Sequence, residues 1–154
     1  MHVIIKNYVN SFAKTFGLEC DVSSMEELFK NFSAFCLVSS RLANNDSIND
    51  YERIATVNTG TYKGVDSIVF IINGSMVTDL QELEDYFKKG YIDVLMMAIQ
   101  AKTSEKFSSD AVSNLADTLL DFLSEDPKYP LVSDEVRNAH TIFRCLQSKY
   151  NESK

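Results

Sequence analysis

Cysteine and histidine are scarce in this chain of 154 residues, and their spacing excludes several chemistries. Cys20, Cys36 and Cys145 lie far apart, form no CxxC and leave one partner over in any disulfide scheme. Cys36 and Cys145 sit in apolar helical patterns, so buried, inert thiols are expected there. His2 and His140 are isolated and have no companions at zinc-ligand spacing. There is no P-loop and no GxGxxG, which removes the common nucleotide-binding signatures. No apolar run approaches the roughly 18 residues of a membrane span. Nor is there an N-terminal basic-then-apolar pattern with a small-residue cleavage site, so a cytoplasmic location is expected. Internal repeats and low-complexity tracts are absent.

Positive charge is also in short supply. The net charge of −7 opposes general affinity for nucleic acid, which comes chiefly from Lys and Arg neutralising phosphates. A local set remains in Lys63, Lys88, Lys89, Lys102 and Lys106. Composition is otherwise that of one soluble domain: 45% hydrophobic and 24% charged, at a length that buries a core without staples.

Read along the chain, the pattern is α/β. A helix is expected over about residues 2 to 16, ended by Gly17, and a second from a Ser24 cap to about Ser40. The second would bury Leu28, Phe32, Phe35, Cys36 and Leu37, with Asn44 to Ser47 as its break. Strands are expected at Arg53 to Val57 and at Val65 to Ile72, with Gly60 and Gly64 marking a turn between them. Asn73-Gly74 then forms a hairpin into Ser75 to Val77. A helix from about Asp79 to Lys89, closed by Gly90, leads to a central strand over 93 to 102. Helices over about 110 to 124 and from Ser133 to about Tyr150 complete the chain. The run from Tyr129 to Val132 is short and carries Pro130, so no confident fourth strand follows.

The most informative feature is the apolar run Val94 to Ile99 ending in Gln100-Ala101-Lys102, with Gly64-Val65-Asp66 opening the earlier run. Alternate residues of a strand share a face, so Gln100 and Lys102 would point the same way. Cross-strand neighbours lie only about 5 Å apart, so pairing with the Asp66 strand would converge a carboxylate, an amide oxygen and an ammonium. That trio suits metal-assisted phosphodiester cleavage. A hard cation takes oxygen ligands and keeps its waters, while the lysine offsets charge on the phosphate. The plain alternative is a turn residue at Asp66 and a solvated strand exit at Gln100 and Lys102.

The segments Gly64 to Ile68, Ile71 to Gly74 and Ile99 to Phe107 resemble the N-terminal domain of the abortive-infection phage-resistance (AIPR) proteins. Those proteins are similar to Mrr-type members of the PD-(D/E)XK restriction-endonuclease-like superfamily, with "GxD" and "QxK" as active-site signatures. The resemblance implies a mixed-sheet core flanked by helices, with extra N- and C-terminal helices, over 1–154 as a single nuclease-like domain from the N-terminal part of a longer protein. It implies Mg²⁺ (or Mn²⁺) held by Asp66 and Gln100, with Lys102 as the catalytic lysine. The expected partner is nucleic acid, DNA first, with a homodimer and a further C-terminal domain left open. Lys30 stands where the family's "FExF" pattern has a glutamate. Glu27 would supply the helix acid from one turn earlier, or serve only as the partner of Ser24 in a capping box. A binding or scaffolding module with the same fold is the alternative to an enzyme.

Overall fold

The computed structural model describes residues 1–18, 24–43, 51–55, 57–59, 62–104, 106 and 108–152. Gly60, Cys20 and the Asn44 to Ser47 break lie outside the described residues. The elements run α1 (Val3–Thr15), α2 (Met25–Ser39), α3 (Tyr51–Ala55), β1 (Ser67–Ile72), β2 (Ser75–Val77), α4 (Leu80–Phe87), β3 (Val94–Ile99), α5 (Ser109–Phe122) and α6 (Asp134–Glu152). The class is α/β. The sheet has the order β2-β1-β3, and both pairings are antiparallel. Among the described residues there is no parallel pair, so this sheet is not the mixed one expected.

Strand β1 is apolar because both of its faces are covered. Ile68, Phe70 and Ile72 join Leu83 of α4, Phe122 of α5 and Val136, Ala139 and Ile142 of α6 in one cluster. Val69 and Ile71 point the other way, to Ala34 and Val38 of α2, Ile54 of α3, Met76 and Ile99. A third cluster, built on Val9, Ala13 and Leu28, seats α1 on α2. Helix α2 buries Leu28, Ala34 and Val38, whereas Cys36 and Leu37 are exposed. The expected buried thiol at Cys36 is thus corrected: the stripe that reaches β1 runs through the smaller Ala34 and Val38.

Two strands were misplaced by sequence. Tyr51–Ala55 is a helical turn and not part of a strand over Arg53 to Val57. Its Arg53 guanidinium donates to both carboxylate oxygens of Glu82, at 2.7 and 2.8 Å, and to the Met76 carbonyl at 3.0 Å. A short alternation is ambiguous in period, and this anchoring to the start of α4 decides it. The second correction concerns β3, which ends at Ile99 and lies at the sheet edge, not its centre. Val94 and Leu95 are exposed; only Ile99 is buried.

Helix starts follow their caps. Ser24, Asp79 and Ser108 each accept an amide hydrogen bond three residues on. The Asn73-Gly74 loop has φ of 51° and 81°, the primed turn whose twist suits a two-residue hairpin. Asn73 also ties down the entry to β3. Its side-chain oxygen accepts from the Asp93 amide at 2.7 Å, and its amide group donates to the Tyr91 carbonyl at 3.2 Å.

A Cβ at Gly74 would stand 2.5 Å from the Ala43 Cβ, on a backbone already at positive φ. Gly74→Ala should therefore destabilise by about 2–4 kcal/mol, against about 1 kcal/mol for Gly17→Ala, where φ is also positive but the space is open. Urea unfolding midpoints of the two variants check this. His140 packs edge-on to Phe122 at 5.3 Å, and its Nε2 is buried with no partner among the described residues. Burial, aided by Arg144, holds its pKa below the ordinary value. The unfolded chain therefore takes up the proton first as the solution is acidified. Stability should fall as pH drops below the unfolded value of about 6.5 and level off below the folded one. Melting of His140→Phe across that range should lack this component.

Candidate functional site

Asp66 sits immediately before β1, where the loop from Tyr62 turns through Gly64 at φ 74°. The backbone there is held from both sides. Asp66 N–H donates to the Ile99 carbonyl at 2.8 Å, and the Asp66 carbonyl accepts from Thr59 N–H at 2.9 Å. The Thr59 hydroxyl donates to the Val65 carbonyl, and Asn58 bridges to Ser67. With β1 clamped this way, the carboxylate is directed to the end of β3. Oδ2 accepts the Ala101 N–H at 2.7 Å. The aspartate thus continues the ladder by side chain where the strand stops, and reaches the backbone at Ala101, the residue between Gln100 and Lys102 in sequence.

Gln100 and Lys102 line one cleft of about 420 Å³ with Ser104, Lys106, Ser108 and the first turn of α5. Their shared wall agrees with the two-residue period of an extended segment. The carboxylate of Asp66 is not part of that wall. Gln100 lies beside the turn: a Cβ built on Gly64 would come 3.3 Å from Gln100 Nε2 and 3.2 Å from Asn114 Cβ. A side chain at 64 would push into both the amide and α5.

Of the lysines singled out in the sequence, Lys102 and Lys106 reach this cleft. Lys63 donates to Tyr129 Oη at 2.9 Å and lies over that ring, a contact that raises its pKa. Lys88 pairs with Asp85, and Lys89 lies over Tyr86. The expected basic cluster is therefore dispersed.

Helix α2 contributes what sequence reasoning missed. Lys30 Nζ lies 3.5 Å from Asp66 Oδ1, with the two side chains 24% and 16% exposed. The same ammonium lies 3.7 Å from Glu26 Oε1, one turn back. Next to it, Asn31 Oδ1 accepts from Asn58 at 2.6 Å, and Asn58 in turn accepts from the Ser67 hydroxyl at 3.0 Å. The acid that reaches Asp66 through Lys30 is thus Glu26. Glu27 is exposed, and its amide is capped by Ser24 Oγ at 3.2 Å. The signal was present in the i,i+4 spacing of Glu26 and Lys30 at the polar edge of an otherwise aromatic stripe.

No protein-family model, curated protein or solved structure matches the chain. The site stands on its own geometry. Among the described residues no three His, Cys, Asp or Glu side chains gather to hold a metal ion. Asp66 offers one carboxylate with both oxygens engaged, one by an amide and one facing an ammonium. The Gln100 amide adds no charge. This donor set fits a divalent cation poorly.

The carboxylate has a structural task whatever else it does. Asp66→Ala leaves the Ala101 amide and the Lys30 ammonium without their partner and should destabilise by about 1–3 kcal/mol. Asp66→Asn keeps a side-chain acceptor and should cost less. Guanidinium unfolding of both variants measures the difference.

Proposed function

We propose that this domain is a nuclease-like module of the AIPR type, with a restriction-endonuclease-like core, that grips nucleic-acid phosphodiesters in bacterial anti-phage abortive infection. In this reading it is a cytoplasmic binding module. The observation that carries it is the bond from Ala101 N–H to the Asp66 carboxylate, which unites the GxD and QxK segments at one sheet end. Lys102 and Lys106 supply the positive wall of the adjoining cleft, and Ser108, whose oxygen caps α5, has a hydroxyl hydrogen to donate. Hydrolysis is given second place by the Lys30 ammonium on Asp66, which meets the need of the carboxylate for a counter-charge. No helix among the described residues is long and apolar enough to cross a membrane.

A Mg²⁺- or Mn²⁺-dependent nuclease with Asp66 and Gln100 at the metal and Lys102 at the attacking water is the second reading. It is favoured by the same convergence of Asp66 on the Gln100–Lys102 segment.

Fluorescence anisotropy with short single- and double-stranded DNA and RNA tests the first reading. With two lysines on phosphate, log K should fall against log salt with a slope of about −2 on duplex DNA, and Lys102→Ala should make it shallower by about one. Unchanged binding by Lys102→Ala would remove the cleft from consideration. Metal-dependent cleavage that is lost in Lys102→Ala would promote the second reading over the first.

A further inference from the structure

The Lys30 side chain belongs to a helix whose position is set by other residues. Leu28 is fully buried, and Phe29 and Phe32 pack on the cluster that joins α1 to α2. The lysine stem therefore starts from a fixed point, and its ammonium ends between two carboxylates from different parts of the fold. Asp66 Oδ1 lies 3.5 Å away and Glu26 Oε1 3.7 Å away. Two negatively charged oxygens around one ammonium, with Asp66 and Lys30 mostly shielded from solvent and Glu26 on the exposed side, are the surroundings of a bound cation. Here the cation is covalently tethered.

We infer that Lys30 is a built-in cation that stands in the place of a divalent metal at Asp66, so that the native domain refuses Mg²⁺ and Mn²⁺ at this carboxylate. A Mg²⁺ ion binds oxygen at about 2.0–2.1 Å. On Asp66 Oδ1 it would lie within a few ångströms of the Lys30 ammonium, where like charges repel strongly in a partly desolvated setting. The other carboxylate oxygen is held by Ala101 N–H and offers no escape. Removing the ammonium should uncover a weak divalent site made from Asp66, Glu26 and water. The inference deepens the binding reading by naming what replaces the metal, but it rests on the Asp66 geometry alone. Nucleic-acid binding can fail without touching it, and the reverse also holds.

The experiment is a Mn²⁺ titration of the full chain, read by the loss of the free-ion electron paramagnetic resonance signal and by calorimetry. Wild type should show no saturable site at submillimolar Mn²⁺, and Asp66→Asn should behave identically. Lys30→Gln should acquire one site at least tenfold tighter than any wild-type uptake, and adding Asp66→Asn to it should abolish that site. Lys30→Arg, which keeps the charge, should match wild type. A wild-type site that disappears in Asp66→Asn overturns the inference. So does a folded Lys30→Gln, judged by circular dichroism, that binds Mn²⁺ no better than wild type. If Lys30→Gln does not fold, wild type against Asp66→Asn decides: equal Mn²⁺ uptake supports the tethered cation, and loss in Asp66→Asn refutes it.

Discussion

Everything in this fold hangs on the burial of β1 from both sides. Its apolar residues alternate between two clusters, one formed with α4, α5 and α6 and the other with α2 and α3. Each large apolar side chain that leaves water here contributes about 1.5–3 kcal/mol, which outweighs any local preference of the flanking segments. Strand β1 also supplies every pairing in the sheet, since β2 and β3 each pair with it and not with one another. A strand that is wholly enclosed cannot carry a charge along its length. The first position where one is tolerated is just before its start, and Asp66 stands there.

That placement explains why a single carboxylate joins so many parts of the molecule. At the end of the apolar strand, Asp66 must find partners for its oxygens, because a shielded and unpartnered charge is costly. It takes the Ala101 amide beyond β3 and the Lys30 ammonium of α2. The same two contacts fix the exit of the QxK segment and fasten α2 over the sheet end. These structural contacts belong to Asp66 whatever chemistry it also performs. A loss of function in an Asp66 variant gains meaning only beside its stability.

Much of this was legible in the residues because it depends on short-range rules. The Ser24 cap, the Asn73-Gly74 hairpin and the β-branched run of β1 are local signals that the tertiary structure did not override. The errors came where distant partners decide. Arg53 to Val57 alternates like a strand, yet Arg53 is claimed by Glu82 and the segment turns as a helix. Val94 to Ile99 is as apolar as a central strand, but nothing in its own sequence says whether a neighbour lies on its outer side. At the site, Asp66 reaches the backbone of the Gln100–Lys102 segment at Ala101, while the Gln100 and Lys102 side chains line a cleft of which its carboxylate is not part. Lys30 departs from the family's pattern in sequence, and in the fold it is the direct partner of Asp66. Charge pairing between a helix and a strand end leaves no periodic trace.

The acidic body and the lysine-lined cleft are compatible once distance is considered. A net charge of −7 acts on an approaching polyanion over the whole surface, but at physiological ionic strength charges more than about 8 Å apart are largely screened. Inside the cleft, the nearest charges dominate, and among the described lining residues those are Lys102 and Lys106. Lys30 contributes little outward, since Asp66 and Glu26 flank its ammonium. Beyond the cleft the acidic body gives an approaching polyanion no attraction, while the local wall favours contact. On the proposed reading, the cleft would hold a phosphodiester delivered to it better than it would capture one from solution, and the effective concentration set by a tether or partner would be the controlling quantity.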